Sequence, residues 1–135
     1  MVRELYFFPE SHCYVVRWIV DPTKEAMLSH WHDLLEDPEY NPDFAALHDL
    51  RNRTIKGEYA DTVESRDAYT RDVAPEVGGG RVAVLVDTAA AYGSGRQLTV
   101  MTGLEDDSLV TYSEEEAKRW IGLSEDHALP YTVYS

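Results

Sequence analysis

Apolar residues lie along this chain in short blocks divided by turn-forming clusters, and the spacing inside each block separates strands from helices. Leu5–Phe8 and Cys13–Val20 are dense in aromatic and β-branched residues, and Pro9–His12 between them has the length of a hairpin connection. They predict an antiparallel pair. Asp21-Pro22 then opens a helix, with aspartate as the cap and proline at the first helical position, where its missing N–H is not needed. Met27, Leu28, Trp31, Leu34 and Leu35 share one face of that helix, and Glu36-Asp37-Pro38 ends it. A third strand is expected within Phe44–Leu50, centred on Ala46–Asp49, before the polar and basic loop Arg51–Thr54.

A second helix is predicted over Asp61–Ala74 from the capping-box spacing of Asp61 and Glu64, although its apolar face is thin. Arg81–Val86 follows as a continuous apolar run bounded by Gly78-Gly79-Gly80 and Asp87-Thr88. A strand without polar alternation is covered on both faces, which puts it centrally in a mostly parallel sheet. Its helix ends near Gly103, Leu109–Tyr112 is a fifth strand, and Ser113–Glu116 is a capping box ahead of Ala117, Trp120 and Ile121. Gly122-Leu123 fits a helix C-cap with its hydrophobic partner. The pattern therefore predicts an α/β domain: a five-stranded, mostly parallel sheet with an N-terminal antiparallel hairpin at one edge and about four helices.

The length, 135 residues, is that of one domain over 1–135, with a core at 5–123 and a tail at 124–135. Twelve basic against 25 acidic residues give a net charge of -13, which repels phosphate backbones and anionic lipid surfaces and so argues against nucleic-acid and membrane partners. Cys13 is the sole cysteine, so no intramolecular disulfide can form. The first twelve residues lack the apolar core of a signal peptide, and no run approaches the ~20 apolar residues of a membrane span. A cytoplasmic location is the expectation. Three tryptophans and nine tyrosines, with the late apolar stretch Leu129–Tyr134, further suggest a homodimer.

The element order, with DPEYNPDFAALHDLR at 37–51, the strand leading into AYGSGR at 91–96 and the closing SEEEAKRWIGL at 113–123, resembles the small bacterial STAS-like proteins of the anti-sigma-factor-antagonist-like superfamily. The resemblance spans roughly residues 5 to 123. It implies a right-handed βα superhelix and a regulatory or binding module with no general catalytic activity; no cofactor is expected. The phospho-switch antagonists carry an Asp-Ser and a glycine-containing turn after a central strand. This chain has Asp49-Leu50-Arg51-Asn52-Arg53-Thr54-Ile55 there, so phosphorylation control is not implied.

Candidate chemistry concentrates at strand ends. Asp21, Asp49 and Asp87 each close a strand, and in a parallel sheet those ends line the ligand crevice, where three carboxylates could hold a divalent cation. The plainer alternative is that Asp21 and Asp87 cap the helices after them and Asp49 pairs with Arg51. His30 and His32 point apart around a helix, and His48 could meet Cys13 only across paired strands, so no metal site is expected. Neither Cys13 nor Ser94 sits in a nucleophile motif. A ligand site is expected from Asp49 and Arg51 at the third strand with Tyr92 and Arg96 at the start of the helix after the Arg81–Val86 strand, Asp87 beside them and Gly93 allowing close approach. Two functions fit: a non-catalytic module binding a protein partner or a small anionic or apolar ligand, and a small metal-dependent or acid/base hydrolase built on the strand-end aspartates.

Overall fold

The computed structural model describes residues 3–53, 80–101 and 107–131. Its five strands are β1 (Arg3–Phe8), β2 (Cys13–Trp18), β3 (Ala45–Asp49), β4 (Val82–Leu85) and β5 (Ser108–Thr111), and they lie side by side in chain order. β1 and β2 pair antiparallel, Phe8 opposite Cys13, across a 3₁₀ turn at Pro9–Ser11. β2, β3, β4 and β5 are mutually parallel, with Leu47 beside Ala83 and Val84 beside Val110. The expected neighbours of the Arg81–Val86 run and the edge position of the hairpin are thus present. Among the described residues there are three α-helices: α1 (Lys24–Glu36), α2 (Ala89–Met101) and α3 (Glu114–Ile121). The helix expected over Asp61–Ala74 lies outside the described residues. No helix among them is long and apolar enough to cross a membrane.

Because strand side chains alternate, the sheet carries two cores. Cys13, Val15, Leu47, Ala83 and Leu85 face Ala117, Ile121 and Leu123, so α3 and the residues after it cover this side. Tyr14, Val16, Trp18, Ala46, Leu50, Val86 and Val110 face Leu34 of α1 and Ala91 of α2 on the other. Leu34, enclosed by that second layer, is the kind of side chain whose truncation to alanine costs about 2–5 kcal/mol.

Local chemistry moves several expected boundaries. Strand β2 ends at Trp18 rather than Val20. Thr23, not Asp21, caps α1: its extended backbone brings Oγ1 to 3.1 Å from the Ala26 N–H, which leaves Pro22 ahead of the helix. Likewise the Thr88 hydroxyl, not Asp87, accepts the Ala91 N–H at 3.1 Å. Ser113 does cap α3, accepting the Glu116 N–H at 3.2 Å. Gly122, at φ 86°, closes the same helix, and the Leu123 amide reaches back to the Lys118 carbonyl at 2.9 Å. Of the described tail residues, Leu129 and Tyr131 pack, partly buried, on the α3 side of the sheet.

Candidate functional site

Two polar clusters interrupt these cores, one on each face of β3, and they begin at adjacent residues. His48 points toward α1 and Asp49 toward α3.

On the Asp49 side the carboxylate is 2% exposed and its oxygens are taken. Arg51 grips it as a fork, Nε to Oδ1 at 3.0 Å and an Nη to Oδ2 at 2.8 Å, and the Arg51 amide adds a third bond to Oδ1 at 3.1 Å. The Tyr131 hydroxyl donates to Oδ2 at 2.9 Å. Arg51 also reaches Glu114 at 3.1 Å, and Glu114 holds the nearly buried Lys118 ammonium at 3.0 Å. Burial works to lower the Arg51 guanidinium, but the hydrogen bond and charge of Asp49, helped by Glu114, outweigh it and raise the pKa. Burial and then Asp49 raise the Tyr131 phenol well above its ordinary value, so it stays a donor. Arg17 lies 4.8 Å over the Tyr131 ring and pairs with Glu4 at 3.2 Å.

Beside this cluster, at the carboxyl ends of β2 and β3, opens a pocket of about 190 Å³ lined by Arg17, Trp18, Ile19, Asp49, Arg51, Asn52 and Arg53. Asn52 takes a left-handed turn at φ 64°, and its amide donates to Asp87 at 2.8 Å. The turn carries the chain from β3 back across the rim. Arg53 is thereby laid against β2, donating one Nη to the Ile19 carbonyl at 2.7 Å. Its Nε is buried with no acceptor, and no carboxylate among the described residues pairs with its guanidinium.

The opposite cluster is neutral. His30 of α1 and His48 stand edge to face at 5.3 Å, with the Trp18 ring stacked on His48. Trp18 Nε1–H donates to His48 Nδ1 at 3.2 Å, and Arg3 Nε–H donates to His30 Nδ1 at 2.7 Å. Each Nδ1 is an acceptor, which assigns the ring proton to Nε2. Burial, then the neighbouring ring and Arg3, push His30 down to about 2, while burial and Arg3 push His48 down to about 4. Among the described residues, His30 Nε2 has no partner.

Of the residues expected to form one site, Asp49 and Arg51 pair and line the pocket, and Asp87 borders it through the Asn52 amide. Tyr92 belongs to the opposite layer, stacked on Tyr112 at 5.3 Å, and Arg96 is an exposed position of the same helix. The reason is the face: Asp49 projects to the α3 side, whereas α2 packs on the other. Nor does Gly93 admit a close approach, since a Cβ there would meet nothing within 4 Å. Gly95 is the packed glycine, where a Cβ would lie 3.3 Å from Val110 Cγ1. Cys13 and His48 likewise face opposite layers, and burial pushes the Cys13 thiol up to about 11. Among the described residues no three of His, Cys, Asp and Glu gather closely enough to hold a metal, so Asp21, Asp49 and Asp87 do not form a metal-holding rim cluster.

Sequence pattern alone does not single out Arg17, Arg53 or Tyr131 as site residues. Arg17 pairs with Asp49 in the register of β2 on β3, which puts these charges side by side. Compared with known proteins, the chain matches no family model, no curated protein and no solved structure.

Proposed function

We propose that this protein is a non-catalytic STAS-like module that binds a small anionic ligand in the pocket between the carboxyl ends of β2 and β3. The observation that carries the reading is the wall of Arg17, Arg51 and Arg53, three guanidiniums on one small opening of a chain whose net charge is -13. Arginines retain their charge at any ordinary pH and present several fixed donors, which suits them to holding an anion rather than transferring a proton. Asp49, the carboxylate of that wall, has its oxygens engaged by Arg51 and Tyr131 and so is not a free base. The place is the one where open α/β sheets bind ligands. The STAS-like assignment is supported by the sequential strand order with its antiparallel first pair, the arrangement implied by the resemblance.

Thermal denaturation tests the reading. At pH 7 and constant ionic strength, phosphate, sulfate and a series of carboxylates are each titrated against a chloride control. A ligand at ten times its Kd stabilises the fold by about 1.4 kcal/mol, which in a domain of this size raises Tm by roughly 3–5 °C. At least one anion is expected to give a saturable rise of that order, abolished by Arg53→Gln. A flat response to every anion in the wild type refutes the proposal.

A further inference from the structure

We infer that the anion is a monocarboxylate with a short apolar chain, held at Arg53. The inference rests on the pocket being an anion site and concerns which anion it takes. Charge decides against a dianion. Arg17 already faces Glu4 at 3.2 Å, and Arg51 faces Asp49 at 2.8 Å and Glu114 at 3.1 Å. Arg53 is the pocket guanidinium with no carboxylate against it among the described residues, so it is the positive charge that the described wall has to offer. A second negative charge on the ligand would meet the Asp49 carboxylate in the same wall and Asp87 behind the Asn52 amide. Tetrahedral phosphate at neutral pH carries about that second charge; a carboxylate does not.

Geometry selects in the same direction. One Arg53 Nη is bonded to the Ile19 carbonyl, which leaves Nε, lacking any acceptor among the described residues, beside the other Nη. That edge is the arginine fork, whose two parallel donors match the two oxygens of a planar carboxylate. Nε is closed off from solvent, so a ligand oxygen meets it only when the side chain turns about its bond to Ile19. A buried N–H without an acceptor is costly, and the incoming oxygen relieves that cost. Trp18 and Ile19 supply the apolar part of the wall, and about 190 Å³ leaves room for a few carbons beyond the carboxylate.

Amide and side-chain NMR on the labelled full chain tests this at pH 7 and fixed ionic strength, with acetate, propionate, butyrate, inorganic phosphate and sulfate as probes. The expected result is saturable shifts at Arg53 Nε–H and the Trp18 indole N–H, with butyrate tighter than acetate. Each methylene should tighten binding by up to about fourfold. Arg53→Lys keeps the charge and removes the fork, and should weaken butyrate by about tenfold while the spectrum stays folded. Phosphate or sulfate binding at Arg53 more tightly than butyrate overturns the monocarboxylate inference and leaves the anion site standing. Unchanged butyrate affinity in Arg53→Lys, or shifts confined to residues outside the pocket, overturns it as well. Saturable shifts with none of the five probes sink both this inference and the binding function.

Discussion

Lowering the pH from 7 to 5 should weaken the fold by about 4 kcal/mol through His30 and His48 alone. Both are buried and neutral, and both have folded pKa values depressed far below 6.5, to about 2 and about 4. The sign follows from where the proton binds. In the unfolded chain each imidazole titrates near 6.5 and takes up a proton below that pH, whereas in the folded chain it does not until the lower value is reached. Stability is therefore whole above about pH 6.5 and falls as the pH drops through the window below it. At pH 5 the gap is about 1.5 pH units, worth ~2 kcal/mol for each histidine. That figure depends on the unfolded value and holds for any folded value well below 5. Against a total of about 5–15 kcal/mol for a domain, it is a large fraction.

The groups around the pair are Trp18, which donates to His48, and Arg3, which donates to His30 and also pairs with Asp33 at 3.3 Å. His30→Gln and His48→Gln each keep an acceptor for that donor and delete one titrating group. Urea unfolding at pH 7 and pH 5, followed by tryptophan fluorescence, should show the pH-dependent loss reduced by about 2 kcal/mol in either variant. The acidic surplus titrates in wild type and variants alike and cancels in the comparison. An equal loss in all three proteins refutes the reasoning, as does a histidine ring of the pair titrating near 6.5 by NMR in the folded state.

Two further outcomes test the other face and the second helix. Tyr131→Phe removes the hydroxyl bonded to a buried carboxylate that Arg51 still holds, and should cost about 1.5–3 kcal/mol in urea unfolding; a loss under 0.5 kcal/mol would mean that the tail is held by packing alone. Gly93→Ala should stabilise α2 by up to about 1 kcal/mol, because the new methyl meets open space, whereas Gly95→Ala should gain less or lose, because its Cβ sits 3.3 Å from Val110; equal shifts in Tm for the two would contradict the packing.

The strands were legible in the sequence because each is a block of β-branched, aromatic and small residues with turn chemistry on both sides. Sequential parallel pairing followed from the short connections and the crossover rule. Helix starts were less so, and the reason is degeneracy: Asp21 and Thr23, or Asp87 and Thr88, are equally able caps, and the choice falls to whichever oxygen the backbone brings within reach of the amide three residues on. The candidate site was half legible. Placing Asp49, Arg51, Tyr92 and Arg96 together used the end of the strand but not its face, and one residue of alternation separates Asp49 from the layer that α2 joins. His30 and His48 were judged separately because nothing local links a helix position to a strand position. Only the docking of α1 on β3 joins them. Tyr131 could not be found at all from spacing, since its partner Asp49 is 82 residues away.

His48 and Asp49 are neighbours in the chain, yet the fold treats their polarity in opposite ways. A buried carboxylate that stays charged needs partners that repay its lost hydration, and the α3 side provides a fork, a phenol and a backbone amide at the one residue. A buried imidazole can simply remain neutral, and the α1 side provides donors that hold it so. Saturating Asp49 also determines what the pocket beside it can do. With its oxygens and the Arg51 fork committed to each other, the pocket cation with no carboxylate partner among the described residues is the one that the Asn52 turn delivers, Arg53. Residues 49–53 therefore do both jobs, Asp49 and Arg51 pinning the sheet to α3 and Tyr131, and the turn that follows carrying Arg53, the charge on which the proposed anion site depends.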